Sequence, residues 1–159
     1  MPTVKRILVP VDFSPCSRAA LEYAVTLAEQ FGASIHVLHV WRPPRYIGPN
    51  ALLEGLVNPP GTLAEDAYAI ASREMEQFLT PFQKEGRVNF RPRIEPGEPY
   101  QTILEVANGG VYDLIAMGTH GRTGLSHAVM GSVAEKVVRH SRFPVLTVRT
   151  PRTTEGGPS

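Results

Sequence analysis

Leu114-Ile115-Ala116-Met117-Gly118-Thr119-His120-Gly121, followed after nine further residues by Gly131-Ser132-Val133-Ala134, is the stretch that decides the fold. Leu114 to Met117 is a short apolar run of the kind found in a fully buried parallel strand. Gly118 and Gly121 then let the backbone turn sharply and come close to a ligand. Gly131-Ser132 opens a helix, whose first N–H groups lack intrahelical partners and lie at the positive end of the helix dipole. Strand, glycine turn and helix N-terminus in that order are the elements that hold a phosphate chain.

Two other phosphate motifs are excluded. No Gly-Lys-Ser/Thr occurs anywhere in the chain, so there is no P-loop. The first strand runs into Val9-Pro10-Val11-Asp12-Phe13-Ser14 without a glycine, so the dinucleotide fingerprint is missing from its usual place.

Outward from this stretch the chain alternates strands and helices. Val4 to Val11 reads as the first strand. Ser14-Pro15 starts a helix with a capping serine and a proline at its first position. Ala20, Tyr23, Ala24, Leu27 and Phe31 give that helix an apolar face, and Gly32 ends it. Ser34 to Trp41 is the second strand. The connection from Arg42 to Gly61 holds five prolines and three glycines, a length and composition typical of functional or mobile loops. Thr62-Leu63-Ala64-Glu65 has capping-box spacing for a helix carrying Ala67, Ile70, Ala71, Phe78 and Phe82 on one face. Val88, Phe90 and Ile94 alternate in a third strand, and Pro92 inside it suits an edge position. Glu98-Pro99 starts the third helix, Tyr112 to Met117 is the fourth strand, and Val133, Ala134, Val137 and Val138 mark a short fourth helix. Val145 to Arg149 is the fifth strand. This alternation predicts a parallel sheet covered on both faces, with its ligand crevice at the C-terminal ends of the strands where strand order reverses.

Composition bounds the rest. The 159 residues are expected to form one domain, residues 1–149, followed by a polar flexible tail over 150–159. An apolar share of 42% supports a core, and no stretch reaches the length of a membrane span. No secretory leader is visible, and Cys16 is the single cysteine, so the expected location is cytoplasmic. A net charge of +1 with both signs interspersed argues against nucleic-acid binding. The histidines form no metal-ligand spacing.

The pattern Gly-x2-Gly-x9-Gly-Ser resembles the ATP-binding signature of the universal stress protein family. The opening Lys5-Arg6-Ile7-Leu8-Val9-Pro10-Val11-Asp12-Phe13-Ser14 and the ending Phe143-Pro144-Val145-Leu146-Thr147-Val148-Arg149 resemble the family's first and last strands. The resemblance covers residues 4 to 149. It implies an α/β single-domain open five-stranded parallel sheet of order 3-2-1-4-5, Rossmann-like and akin to the adenine-nucleotide alpha-hydrolases.

It also implies an ATP site, with Mg²⁺ accompanying the nucleotide. Gly118, Gly121 and Gly131, after Met117, would bring main-chain N–H groups to the ribose and phosphates; the alternative is that they only shape turns. Ser132 would donate its hydroxyl to a phosphate oxygen beside the N–H groups of Val133 and Ala134; Ser132-Val133-Ala134-Glu135 is equally a capping box. Asp12 would contact the nucleoside end, with Pro10 and Val11 packed beside the sugar, or else cap the first helix. Val40 would read the adenine edge through its main chain, or be a buried strand residue. Arg122 would pair with phosphate or remain a solvated loop charge. His120 is expected to shape the loop rather than act as a base, and Cys16 is expected to pack.

The sequence shows no Ser-His-Asp set, no paired carboxylates beside the glycine loop and no water-activating motif. It therefore reads as a nucleotide-dependent regulatory module in the stress response, hydrolysing ATP slowly at most. The alternative is an ATP-dependent enzyme, a hydrolase or adenylyl transferase, using the same crevice. A homodimer through the exposed fifth strand is the expected assembly.

Overall fold

The computed structural model describes residues 3–43, 60–121 and 129–150, with side chains left out at 60–63. Five parallel strands form one sheet: β1 (Arg6–Pro10), β2 (Ser34–Trp41), β3 (Phe90–Pro96), β4 (Leu114–Gly118) and β5 (Val145–Val148). Their order is β3-β2-β1-β4-β5, as the resemblance implied. Four helices cover it: α1 (Pro15–Phe31), α2 (Pro60–Gln83), α3 (Pro99–Gly109) and α4 (Ser132–His140). The tail over 151–159, most of the Arg42–Gly61 connection and Arg122 lie outside the described residues. Among the described residues no helix is long and apolar enough to cross a membrane.

Alternation along the strands divides the core in two. Ile7, Val9, Ile35, Val37 and Ala116 face α1 and α2, packing against Leu21, Ala24, Met75, Phe78 and Leu79. Leu8, Leu38, Ile115 and Met117 face α3 and α4, packing against Ile103, Val106, Ala134 and Val137.

Local chemistry sets the element ends. Ser14 caps α1, its Oγ accepting the Ser17 N–H at 3.2 Å, and Gly32 closes the helix at φ 66°. At the bottom of the sheet Asp113 Oδ2 accepts the N–H groups of Lys5 and Arg6 at 2.8 and 2.9 Å, tying β1 to the start of β4. Helix α2 begins at Pro60, two residues before the Thr62 at which the capping-box spacing would start it. In β3 the ladder bonds run through Asn89 and Gly97 to β2. By two-residue alternation, Phe90, Pro92, Ile94 and Pro96 turn their main-chain groups to the open edge, where the prolines lose no ladder bond.

The apolar stripes read from spacing are broader than the faces the sheet covers. Tyr23, Phe31, Ile70 and Val138 were expected inward but are 60%, 55%, 61% and 45% exposed. The buried arc of α1 instead runs through Cys16, Ala20, Leu21, Ala24 and Ala28. Its small residues let the helix sit low on the sheet, and the larger apolar side chains fall on its flank and end. Gly118 belongs to the same close approach. A Cβ there would lie 2.9 Å from the carbonyl carbon and the Sγ of Cys16.

Gly118→Ala is therefore expected to force α1 off β4 and cost about 1–3 kcal/mol in denaturant unfolding. Gly109→Ala, where a Cβ meets nothing within 4 Å, serves as the near-neutral comparison. Equal stability of Gly118→Ala and wild type would contradict the packing. A second expectation concerns His36, whose Nδ1 lies 3.0 Å from the Tyr112 hydroxyl. Burial, and then Arg91, Arg6 and Arg93, hold its pKa below the ordinary 6.5. The unfolded chain thus takes up this proton first as pH falls, and stability drops from about pH 6.5 downward through the folded value. Unfolding measured across that range should show a shallower pH slope in His36→Gln than in wild type; identical slopes would contradict the assignment.

Candidate functional site

The strand order reverses between β1 and β4, and the residues singled out from the sequence gather at the C-terminal ends of those two strands. Pro10 ends β1 and is buried. Val11 follows, 5% exposed; its N–H donates to Leu38 O at 2.8 Å, and its carbonyl accepts from His39 Nδ1 at 2.9 Å. A carbonyl can only accept, so this bond fixes the proton of His39 on Nδ1. Asp12 Oδ1 accepts the Ser14 N–H at 3.0 Å. The carboxylate thus braces the turn into α1, while the helix itself is capped by Ser14. Its other oxygen, Oδ2, lies 2.9 Å from the position a Cβ on Gly121 would take. The β1 tip and the glycine turn therefore meet, and Gly121 is small because a carboxylate lies against it.

Phe13, between Asp12 and Ser14, has φ 64°. That left-handed conformation is unfavourable for a bulky side chain. It is held by packing, with the Phe13 ring 4.4 Å from His39 and 5.4 Å from Phe78. No sequence signal marked this residue.

Thr119 was also missed, and it organises the far side of the site. It is 2% exposed. Its N–H donates to Val148 O at 3.0 Å, and its Oγ1 lies 2.9 Å from His120 Nδ1. Its carbonyl accepts the Gly131 N–H at 2.6 Å. Cys16 Sγ also donates to Val148 O, at 3.2 Å. The only sequence cue was a polar residue placed directly after a buried strand. His120 accordingly sits at the loop base, bonded to its neighbour, and Cys16 packs.

Gly118, Gly121 and Gly131 were expected to adopt special turns or carry N–H groups to a ligand. None of the three has a positive φ. Each makes room for a protein neighbour: the start of α1 at Gly118, Asp12 at Gly121, and Thr119 O, 3.0 Å from a Cβ, at Gly131. The Gly131 N–H is committed to Thr119.

The start of α4 follows from that bond. Gly131, not Ser132, is the N-cap, and no side chain caps the helix. The capping-box alternative for Ser132 is thus set aside. The first helical bond runs from Glu135 N–H to Gly131 O at 3.0 Å. The N–H groups of Ser132, Val133 and Ala134 precede it, and among the described residues they have no acceptor. Ser132 is exposed, Val133 half-buried and Ala134 buried.

Val40 ends near the same level on β2, half-buried, with its side chain in the core shared with the buried Met117. Two grooves lie elsewhere, one of about 400 Å³ between α2 and β3 and one of about 210 Å³ between α1 and the end of α2. Among the described residues no group of three or more His, Cys, Asp or Glu converges to hold a metal.

Comparison with known proteins matches this arrangement. The chain fits the universal stress protein family over residues 3–149. It is 31% identical over 148 residues to universal stress protein MJ0531 of Methanocaldococcus jannaschii, covering 93% of this chain and 84% of the relative. Among solved structures, MJ0577 of the same organism superposes with a TM-score of 0.78 at 26% identity, covering 95% and 99% of the two chains. Universal stress protein UspA from Lactobacillus plantarum superposes with a TM-score of 0.71 at 30% identity, covering 92% and 99%. A universal stress protein from Archaeoglobus fulgidus, solved in complex with dAMP, shares the fold at 19% identity and a TM-score of 0.61, covering 93% and 99%. Sequence motifs, strand order and these likenesses agree, and the chain belongs to the universal stress protein family.

Proposed function

We propose that this chain binds ATP in the crevice between β1 and β4 and acts as a nucleotide-dependent regulatory module in the stress response, hydrolysing ATP slowly at most. The observation that carries the reading is the first turn of α4. Three successive N–H groups, Ser132 to Ala134, have no acceptor among the described residues, at a helix end whose dipole favours negative charge. The Ser132 hydroxyl, relieved of capping, joins them as a donor to phosphate. The Asp12 carboxylate repels phosphate and accepts from hydroxyls, so the ribose lies toward β1, with Pro10 and Val11 beside it. Val40 lies at the adenine end, and Met117, Gly118, His120 and Gly121 form the floor between. Arg122 is assigned to the phosphates. Mg²⁺ comes with the triphosphate and keeps much of its water, as that ion does at nucleotide sites. The dAMP held by the Archaeoglobus fulgidus protein supports the reading at the level of fold. The single cysteine, buried as a thiol, suits a reducing compartment, and the module is assigned to the cytoplasm.

We further assign a homodimer through β5. The ladder bonds Ile115 N–H to Pro144 O and Thr119 N–H to Val148 O leave the main-chain groups of Val145 and Thr147 facing the open edge. Unlike β3, that edge carries no proline. The helices packed on the two faces of β5, α1 and α4, each carry an exposed apolar side chain, Tyr23 and Val138.

Calorimetry tests the site. Ser132→Ala should weaken ATP by about tenfold or more, the loss expected for a hydrogen bond to a charged group. Its melting temperature should be unchanged, because that hydroxyl caps nothing. Undiminished affinity would sink the assignment. Sedimentation tests the assembly: a dimer is expected at micromolar concentration, and Thr147→Pro should give a folded monomer. A monomeric wild type, or a dimer that survives Thr147→Pro, would refute it.

A further inference from the structure

The α3–α4 face of the sheet ends in a basic patch that the nucleotide reading leaves unused. The parallel register places Leu8, His36 and Arg91 in one row and Leu38 and Arg93 in the next, with Arg6 and Ser34 in the row before. Helix α3 packs on Leu8 and Leu38, yet Arg6, Arg91 and Arg93 remain exposed. Two carboxylates stand against the three cations: Glu95 pairs with Arg93 at 2.6 Å, and Asp113 Oδ2 accepts the main-chain N–H groups of Lys5 and Arg6 and makes no ion pair with the Arg6 guanidinium. Among the described residues neither Arg6 nor Arg91 has a carboxylate partner. After burial, all three guanidiniums also oppose the protonation of His36, which shares a row with Arg91.

Stability does not account for this arrangement: Arg91 and Arg93 are like charges two residues apart on one face of β3, and each stands opposite a β2 residue, His36 or Leu38, that offers no counter-charge. Charges on an edge strand can also guard against unwanted pairing. That need is already met here, since Pro92 and Pro96 occupy two of the four edge-facing positions of β3. The cations lie on the face rather than along the edge.

We infer that this face is a docking surface for an acidic protein segment. Three strands set about 4.8 Å apart make a patch about 10 Å wide, which matches a few carboxylates in a row. A nucleic acid needs a longer basic track than this width, and the whole chain carries a net charge of only +1. The surface lies apart from the crevice and does not depend on ATP being bound.

The test is fluorescence anisotropy of a labelled oligoglutamate peptide with the full chain at low ionic strength. Wild type should bind, and added salt should weaken the complex. Arg91→Gln with Arg93→Gln should weaken it by about tenfold. Arg6→Gln, on a different strand, should weaken it independently, while Arg73→Gln on exposed α2 should leave it unchanged. No binding to wild type, equal loss in Arg73→Gln, or tighter binding of an oligouridylate of matched charge would overturn the inference.

Discussion

The main chain of Thr119 is the constraint on which the site depends. Its N–H holds the end of β5 and its carbonyl holds the cap of α4. One peptide thus sets where the last helix starts and where its open amides face. It is buried beside Cys16, so the same point also fixes the first turn of α1, directly after Asp12. A nucleotide crevice needs donors held in place before the ligand arrives, because ordering them on binding would cost affinity. Here the ordering is done by hydrogen bonds within the protein. It is reinforced by glycines whose missing side chains let neighbouring segments touch.

This changes the meaning of the glycine pattern. A spacing read as flexible backbone for a ligand is, in three dimensions, a set of close contacts between protein segments. Gly118 admits α1, Gly121 admits a carboxylate, and Gly131 admits a carbonyl. These contacts bring the β1 tip, the turn after β4 and the start of α4 together. The N–H groups of Ser132, Val133 and Ala134 are open among the described residues, while that of Gly131 is held by Thr119.

Much of the fold was legible because single residues carry strong local rules. Ser14-Pro15 marked the start of α1, Gly32 its end, and Pro92 an edge strand. Strand order was not legible from the residues and came from the family resemblance. Helix faces were read less well. Spacing put Tyr23, Phe31, Ile70 and Val138 inward, but a helix packed low through alanines buries only a narrow arc. Within the site, Asp12 and Ser132 were recognisable by type and position. Thr119 and Phe13 were not, since one acts through its main chain and the other through a backbone conformation that tertiary packing imposes. The capping box at Ser132 to Glu135 misled for a related reason: Thr119 captures Gly131, and the cap moves one residue back.

The two edges of the sheet are unequal in the same physical sense. On β3 the prolines fall where donors would face outward, and the adjoining face carries arginines. On β5 the outward-facing positions, Val145 and Thr147, carry no proline.

The central claim is that the first-turn amides of α4 meet the phosphates. A ¹⁵N-resolved NMR titration with Mg·ATP reads those amides one by one. Large shifts at Ser132, Val133 and Ala134, exceeding those of amides on the β3 edge, are predicted. An unperturbed α4 N-terminus under saturating nucleotide would contradict the account.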